Sequence, residues 1–238
     1  MLDAEYYLAD EDLAKFPRTY HMPFSPGVTS DDKVHKSLDH FIGKEVIVTE
    51  KLDGENTTHT RVKTHARSVD SKAHWSRERM KVLQNELKWK LELPQFVDIH
   101  RICGENMVAT HSISYKSLPS YFLCFAIWDR FNVCYGWDDM EILCSELDLE
   151  LVPLLARGIF MKDNKILQAD GTIIKLNDLY TGVSKFGGVQ EGMVMRVAHS
   201  FYYHAYDKMV AKYVRANHVT SDEHWMYQSA VENKLAEK

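Results

Sequence analysis

The distribution of apolar and polar positions predicts short strands interspersed with two amphipathic helices. Val46, Ile47, Val48 and Thr49 make 44–50 a β-branched run that reads as a strand. Residues 56–62 read as its hairpin partner across Asp53-Gly54, the strongest turn signal in the chain. Over 75–92, Met80, Leu83, Leu87 and Leu91 recur at helical spacing, and Pro94 stands just past the end. Residues 120–128 form a dense apolar strand from Tyr121 to Trp128. A second helix is predicted over 138–147, with Met140, Leu143, Cys144 and Leu147 inward, and further strands over 191–198 and 208–215. Thr220 followed by Glu223 is a capping-box signature for a final helix of about 15 residues. Without regular strand–helix alternation, the expected class is α+β with mainly antiparallel sheets. No Pro/Gly/Ser-rich linker divides the chain, so one domain is expected over 1–220, with a short helix over 221–238.

Composition adds modest limits. The 238 residues are 45% hydrophobic and 26% charged, as in ordinary globular proteins. No apolar run is long enough to span a bilayer, so no membrane partner is expected. The start of the chain is acidic and lacks an apolar core, unlike a secretory signal. Cys103, Cys124, Cys134 and Cys144 fit no thiolate metal site or redox pair, and read as reduced, buried thiols of a cytoplasmic protein. The 12 histidines show no metal-ligand spacing. A net charge of −5 argues at first against a polyanionic partner. The acid is concentrated at the two ends, however, and between them basic residues slightly outnumber acidic ones. A local basic groove therefore stays possible.

The chemistry centres on Glu50-Lys51-Leu52-Asp53-Gly54-Glu55-Asn56. It places a lysine at the end of an apolar strand, immediately before a tight turn. There the backbone is fixed, and burial or neighbouring cations can lower the ammonium pKa toward a nucleophilic amine. The same string on a surface hairpin holds an ordinary lysine, and spacing alone leaves both readings open.

The string KxDGxN resembles motif I of the covalent nucleotidyltransferases: DNA ligases, RNA ligases and mRNA-capping enzymes. Further segments resemble that superfamily's motifs, in the same order. They are His65-Ala66-Arg67-Ser68 (motif Ia), Gly104-Glu105-Asn106, Phe122 to Asp129 (motif III), Glu191-Gly192-Met193-Val194 (motif IV) and Met209 to Arg215 (motif V). Glu50-Lys51 with Gly54 and Asn56, together with 101–106 and 212–219, resembles RNA ligases of the phage and kinetoplastid-editing type more than DNA ligases. The resemblance covers roughly 40–220 and implies a ligase-type nucleotidyltransferase fold.

It also implies roles. Lys51 would be the nucleophile that becomes adenylylated, Phe125 would stack on adenine, and Glu50 would lie beside the adenine amino group. Glu105 would accept from a ribose hydroxyl, and Arg67 would clamp a phosphate. Asn56 would help bind the accepting polynucleotide end, and Glu191 would hold a divalent cation. Lys212 would neutralise charge on the α-phosphate, and Arg215 would touch a substrate phosphate. Each has a plainer reading: a core aromatic for Phe125, solvated carboxylates for Glu105 and Glu191, surface cations for Arg67 and Lys212, and a turn-flanking amide for Asn56. His111, close after the 104–106 segment, is a further candidate.

The activity implied is ATP-dependent sealing of 5′-phosphate and 3′-hydroxyl RNA ends, including nicked duplexes. The cofactors would be ATP and Mg²⁺, with Mn²⁺ able to substitute. A small DNA ligase, a GTP-using capping enzyme and a non-sealing polynucleotide-binding module are the rivals. Two departures stand out. Ala126 occupies the place of the motif III acid, for which Asp129 is a candidate substitute. Val214 separates Lys212 from Arg215 where two basic residues usually lie two apart. After Arg215 the sequence given has room for one docked helix, with Trp225, Met226 and Tyr227 to seat it, and no separate OB-fold is expected.

Overall fold

The computed structural model describes residues 7–9, 12–70, 74–216 and 231–237. Its strands, in chain order, are β1 (Tyr20–His21), β2 (Glu45–Lys51), β3 (Glu55–Thr60), β4 (Thr64–Ala66), β5 (Ile99–Asn106), β6 (Phe122–Asp129) and β7 (Val133–Cys134). There follow β8 (Glu150–Leu151), β9 (Leu154–Met161), β10 (Lys165–Leu167), β11 (Ile173–Lys175), β12 (Gly192–Val197), β13 (Phe201–Tyr202) and β14 (Val210–Val214). The helices are α1 (Arg77–Lys90) and α2 (Trp137–Leu147).

These strands form two sheets. The first runs β1-β14-β12-β2-β9-β10-β11 and the second β13-β7-β6-β5-β3-β4, with β8 added beside β6. Only β1–β14 and β6–β8 pair in parallel. The α+β, mainly antiparallel expectation therefore holds.

Burial follows the predicted periodicities. Met80 and Leu87 of α1, with Leu91 at its end, are buried among Ile102, Ile127, Met140, Cys144 and Leu147. Gln84, on the same buried face, is spent on the β3–β4 hairpin: its Oε1 lies 3.0 Å from His59 Nδ1 and accepts from Thr64 Oγ1 at 2.9 Å. The last carbonyls of α1 meet the buried Arg61 guanidinium, whose Nη2 donates to Leu91 O at 2.8 Å. In α2, Asp138 and Asp139 occupy the first turn, where the helix dipole favours them. A second apolar cluster joins Val46, Val48, Met193 and Met195 of the first sheet to Cys103, Ala126 and Trp128 of the second. All four cysteines are buried, free thiols.

Two expectations change. β2 and β3 are not a hairpin: β2 pairs with β12 and β9, and β3 with β4 and β5, so the chain crosses between sheets at 52–54. Tertiary bonds force the crossing. Asp53 Oδ2 accepts from the backbone N–H groups of Ser112 (2.7 Å) and Ile113 (2.9 Å), and Asp53 N donates to Tyr115 Oη (2.9 Å). Gly54 then passes so near β5 that a Cβ would lie 2.6 Å from Asn106 O. The final helix opening at Thr220, with Glu223, Trp225, Met226 and Tyr227, lies outside the described residues. Where 231–237 is described it is not helical, and Glu232 and Leu235 bridge to Ala109 and Leu118.

Candidate functional site

The register of the first sheet sets one wall of a cavity. Lys51 stands opposite Gly192, and Thr49 opposite Val194, which in turn faces Lys212 on β14. Paired residues share a face, so Lys51, Thr49, Val194, Lys212 and, two residues on, Arg196 project to the same side. The motif IV glycine permits this row, because a Cβ at Gly192 would collide with the Tyr213 carbonyl. The opposite wall comes from the second sheet. Asn56 pairs with Glu105, placing both on one face. Between Cys103 and Gly104 the β5–β6 register slips, so that Cys103 faces Ala126 and Gly104 faces Cys124. Phe125 is the extra residue of that bulge, which turns its ring out of the ladder and toward the cavity.

The enclosed volume is about 340 Å³. Of the residues singled out in the sequence, Glu50, Lys51, Asn56, Arg67, Glu105, Phe125 and Lys212 line it. Glu191 reaches the site through Lys51, whose Nζ donates to Oε1 at 2.8 Å and Oε2 at 2.6 Å. Asn56 Oδ1 is buried without a hydrogen-bond partner. Arg67 Nε donates to Phe16 O at 3.4 Å, and the Phe16 ring packs edge-on against Phe125, centroids 5.2 Å apart.

The electrostatics reverse one expectation. Burial does push the Lys51 ammonium toward neutrality, but Glu191, Glu105 and Asp53 outweigh it, and the pKa lies above that of a free lysine. Burial pushes the carboxyls up in turn, Glu105 to about 8 and Glu191 to about 7, against the pull of Lys51 on each. Burial lowers Lys212, with Asp32 opposing and Lys51 assisting. The Glu50 carboxyl is raised by burial, although Ser184 and the Lys185 N–H (3.0 Å to Oε2) bond to it. By strand alternation its side chain points away from Lys51.

Three other sequence candidates fall elsewhere. Arg215 is not among the cavity residues; its backbone N–H donates to Glu191 O at 3.0 Å. Asp129 does not stand in for the acid missing at Ala126. Its Oδ1 accepts from Phe131 N (2.9 Å) and Val133 N (2.8 Å), closing the β6–β7 turn. His111 lies behind the Asp53 turn and does not line the cavity; burial lowers its pKa, with Asp53 and Glu55 opposing. Sequence reasoning missed the 16–32 segment, which adds Phe16, Arg18 and Asp32 to the cavity wall, and Tyr115, which fixes the turn after Lys51. A stretch broken by Pro17, Pro23 and Pro26, without periodicity, gives no signal for the first. For Tyr115, an aromatic in an irregular loop, the pairing with Asp53 is visible only in three dimensions.

Comparison with known proteins agrees with this geometry. No curated protein matches the sequence. Two forms of an archaeal ATP-dependent RNA ligase share the fold at a TM-score of 0.50. Identity is 14% and 15%, over 85% and 84% of this chain and 48% of theirs. A mutant Naegleria gruberi RNA ligase solved with ATP and Mn gives a TM-score of 0.48 at 14% identity, over 86% of this chain and 62% of that one. The chain thus spans about half the length of the archaeal neighbours. The profile of the RNA ligase family matches residues 44–214. That match takes in the strand ending at Lys51, the bulged strand of Phe125 and the β12–β14 pair, and with it the chain belongs to the RNA ligase family.

Proposed function

We propose that the protein is an ATP-dependent RNA ligase that works through a lysyl-adenylate on Lys51. The observation carrying this reading is the position of Lys51 Nζ. It lies 2.6 Å from Glu191, in a cavity whose other wall presents Phe125, Glu105 and Asn56. Adenine would stack on Phe125, the ribose would donate to Glu105, and Arg67 and Lys212 would meet the phosphates. Glu50 would border the adenine, with its Oε2 accepting from Lys185 N at 3.0 Å and its own N–H donating to Pro153 O at 2.8 Å.

In the first step Lys51 gives up a proton to solvent and its lone pair forms a bond to the α-phosphorus. The bond from that phosphorus to the bridging oxygen breaks, and pyrophosphate leaves. An RNA 5′-phosphate oxygen then attacks the adenylate phosphorus, and the nitrogen–phosphorus bond returns its electrons to Lys51. Finally a 3′-hydroxyl attacks the activated 5′-phosphate, losing its proton as AMP departs. Positioning and charge neutralisation supply the catalysis. The residues fit a divalent cation such as Mg²⁺ or Mn²⁺. Among the described residues no cluster of three ligands exists, but Glu191 offers one hard carboxylate where phosphate oxygens and water would complete the shell. Bound there, the cation would neutralise phosphate charge and compete with Lys51 for Glu191.

The test is incubation with labelled ATP and detection of a covalent protein adduct. Wild type should form it, ATP should outcompete GTP by well over tenfold, and Lys51→Ala should form none. An adduct of normal yield in the Ala variant removes the assignment, and equal labelling by GTP points instead to capping-type chemistry.

A further inference from the structure

The segment before β2 brings an acid into the phosphate wall of the cavity. β1 runs parallel to β14, with His21 opposite Lys212. The following loop returns Asp32 to the cavity, where its Oδ1 lies 3.4 Å from Lys212 Nζ and 3.3 Å from His21 Nε2. Asp32 is not free to swing. Its Oδ2 accepts from Thr29 N at 3.1 Å and from Thr29 Oγ1 at 2.8 Å. His21, only 1% exposed, has Nδ1 2.8 Å from Ser25 Oγ. Ser25 Oγ accepts from Val214 N at 2.9 Å. The chain of contacts therefore closes on β14, gripping it at Val214 and returning to it at Lys212.

A carboxylate on a wall built for phosphates works against binding unless it serves another group. Lysine is a point charge on a flexible four-carbon stem, and its reach is undirected without a fixed partner. Asp32 supplies one, and it belongs to a segment outside the 44–214 region that matches the RNA ligase family. Burial draws Lys212 toward the neutral amine, and Asp32 is the largest opposing influence.

We infer that Asp32 is a positioning residue for Lys212, the anchor of a Ser25–His21–Asp32 bracket that keeps the Lys212 ammonium aimed into the phosphate site. This rests on the adenylylation reading above. Among the cations assigned to the phosphates the Asp32 carboxylate bonds Lys212, so loss of its charge should appear in turnover more than in ATP affinity.

The experiment compares wild type with Asp32→Asn, which keeps size and the Thr29 bonds but removes the charge. Two quantities are measured: the single-turnover rate of adduct formation across ATP concentrations, and the acylation rate of each lysine by an amine reagent, read by peptide mass spectrometry without nucleotide. At saturating ATP the variant should be slower by about tenfold, the scale of one charge-assisted hydrogen bond, with half-saturation within about twofold. Lys212 should acylate several-fold faster while exposed Lys208 is unchanged. Thr29→Val, an exposed change that loosens Asp32 without removing its charge, should move both readouts the same way by less, and serves if the Asn variant folds poorly. Wild-type values in both assays overturn the inference. So does a slower rate with unaltered Lys212 acylation, since Asp32 would then act elsewhere. Failure of the wild type to form any adduct would instead remove the ligase reading and this inference with it.

Discussion

Removing one amide far from Lys51 should damage both stability and chemistry. Asn233 is 2% exposed and ties together the 107–118 loop. Its Nδ2 donates to Met107 O (2.9 Å) and Ala109 O (3.2 Å), while Oδ1 accepts from Tyr115 N (2.8 Å) and Thr110 Oγ1 (3.1 Å). Asn233→Ala deletes all four bonds and strands two carbonyls and an N–H in a buried setting. At about 1 kcal/mol net per bond, with part of the desolvation penalty recovered by entering water, the cost is about 3–4 kcal/mol. Asn233→Asp should do no better, since an anionic oxygen would face the two carbonyls that Nδ2 now satisfies.

The loop matters because it holds the turn after Lys51, the nucleophile of the proposed reaction. Tyr115 Oη accepts from Asp53 N at 2.9 Å, and Ser112 N and Ile113 N hold the Asp53 carboxylate. Urea unfolding followed by tryptophan fluorescence should show a midpoint lower by roughly 1–2 M at unchanged slope. Below the new midpoint, the folded variant should still adenylylate at least tenfold more slowly than wild type. A loss under about 1 kcal/mol, or a normal adenylylation rate in the folded variant, would refute the link from this amide to Lys51.

Two further outcomes follow from the site. In the proposed first step Lys51 must lose a proton that its carboxylate neighbours hold above the usual lysine value, so the neutral fraction grows with pH all the way to that raised pKa. Adduct formation at limiting ATP should climb between pH 6 and 9 by up to roughly tenfold per unit, and Glu191→Gln, which removes the largest raising influence, should shift the climb to lower pH; a flat profile in both proteins contradicts this. Gly54→Ala would set a Cβ 2.6 Å from Asn106 O and 2.9 Å from Glu105 Cγ, so it should displace Glu105 and lower adduct formation by at least tenfold, and an unimpaired Ala variant would show that the close approach carries no constraint.

What could be read from the sequence divides along local and long-range lines. Lys51 at a strand end, the apolar faces of α1 and α2, and the strands β12 and β14 are local patterns, and they appear where periodicity placed them. The partner of β2 could not be read, because alternation and an Asp-Gly turn describe a hairpin and a sheet crossing equally well. The crossing was decided by Asp53 bonding some sixty residues away, at Ser112 and Ile113. Asp129 misled for a similar reason: its type and distance suited the missing acid, while its side chain is committed to the next turn. Phe125 reaches the cavity through a bulge that no residue type announces. The polarity of Asp32 was visible, but nothing in the sequence tied it to Lys212, 180 residues later.

The acids in this cavity have a reason that precedes catalysis. On the proposed function the pocket must fold before a triphosphate arrives, and partly buried lysines without counterions are costly or lose their charge. Here each lysine has its own carboxylate, Glu191 for Lys51 at 2.6 Å and Asp32 for Lys212 at 3.4 Å, supplied by different segments. The pairing separates the two roles. In the proposed reaction Lys51 has to be freed from its acid to become a nucleophile, and the Glu191 carboxyl, pushed up to about 7 by burial against the pull of Lys51, would then need another positive charge in its place. In the same proposal Lys212 has to stay charged throughout, and its partner is the opposite kind of acid. Despite a desolvation cost, Asp32 lies well below the usual carboxylate range because Thr29, Lys212 and His21 stabilise the anion. The proposed reaction thus asks one pair to part and the other to persist, although both look alike as lysine–carboxylate contacts.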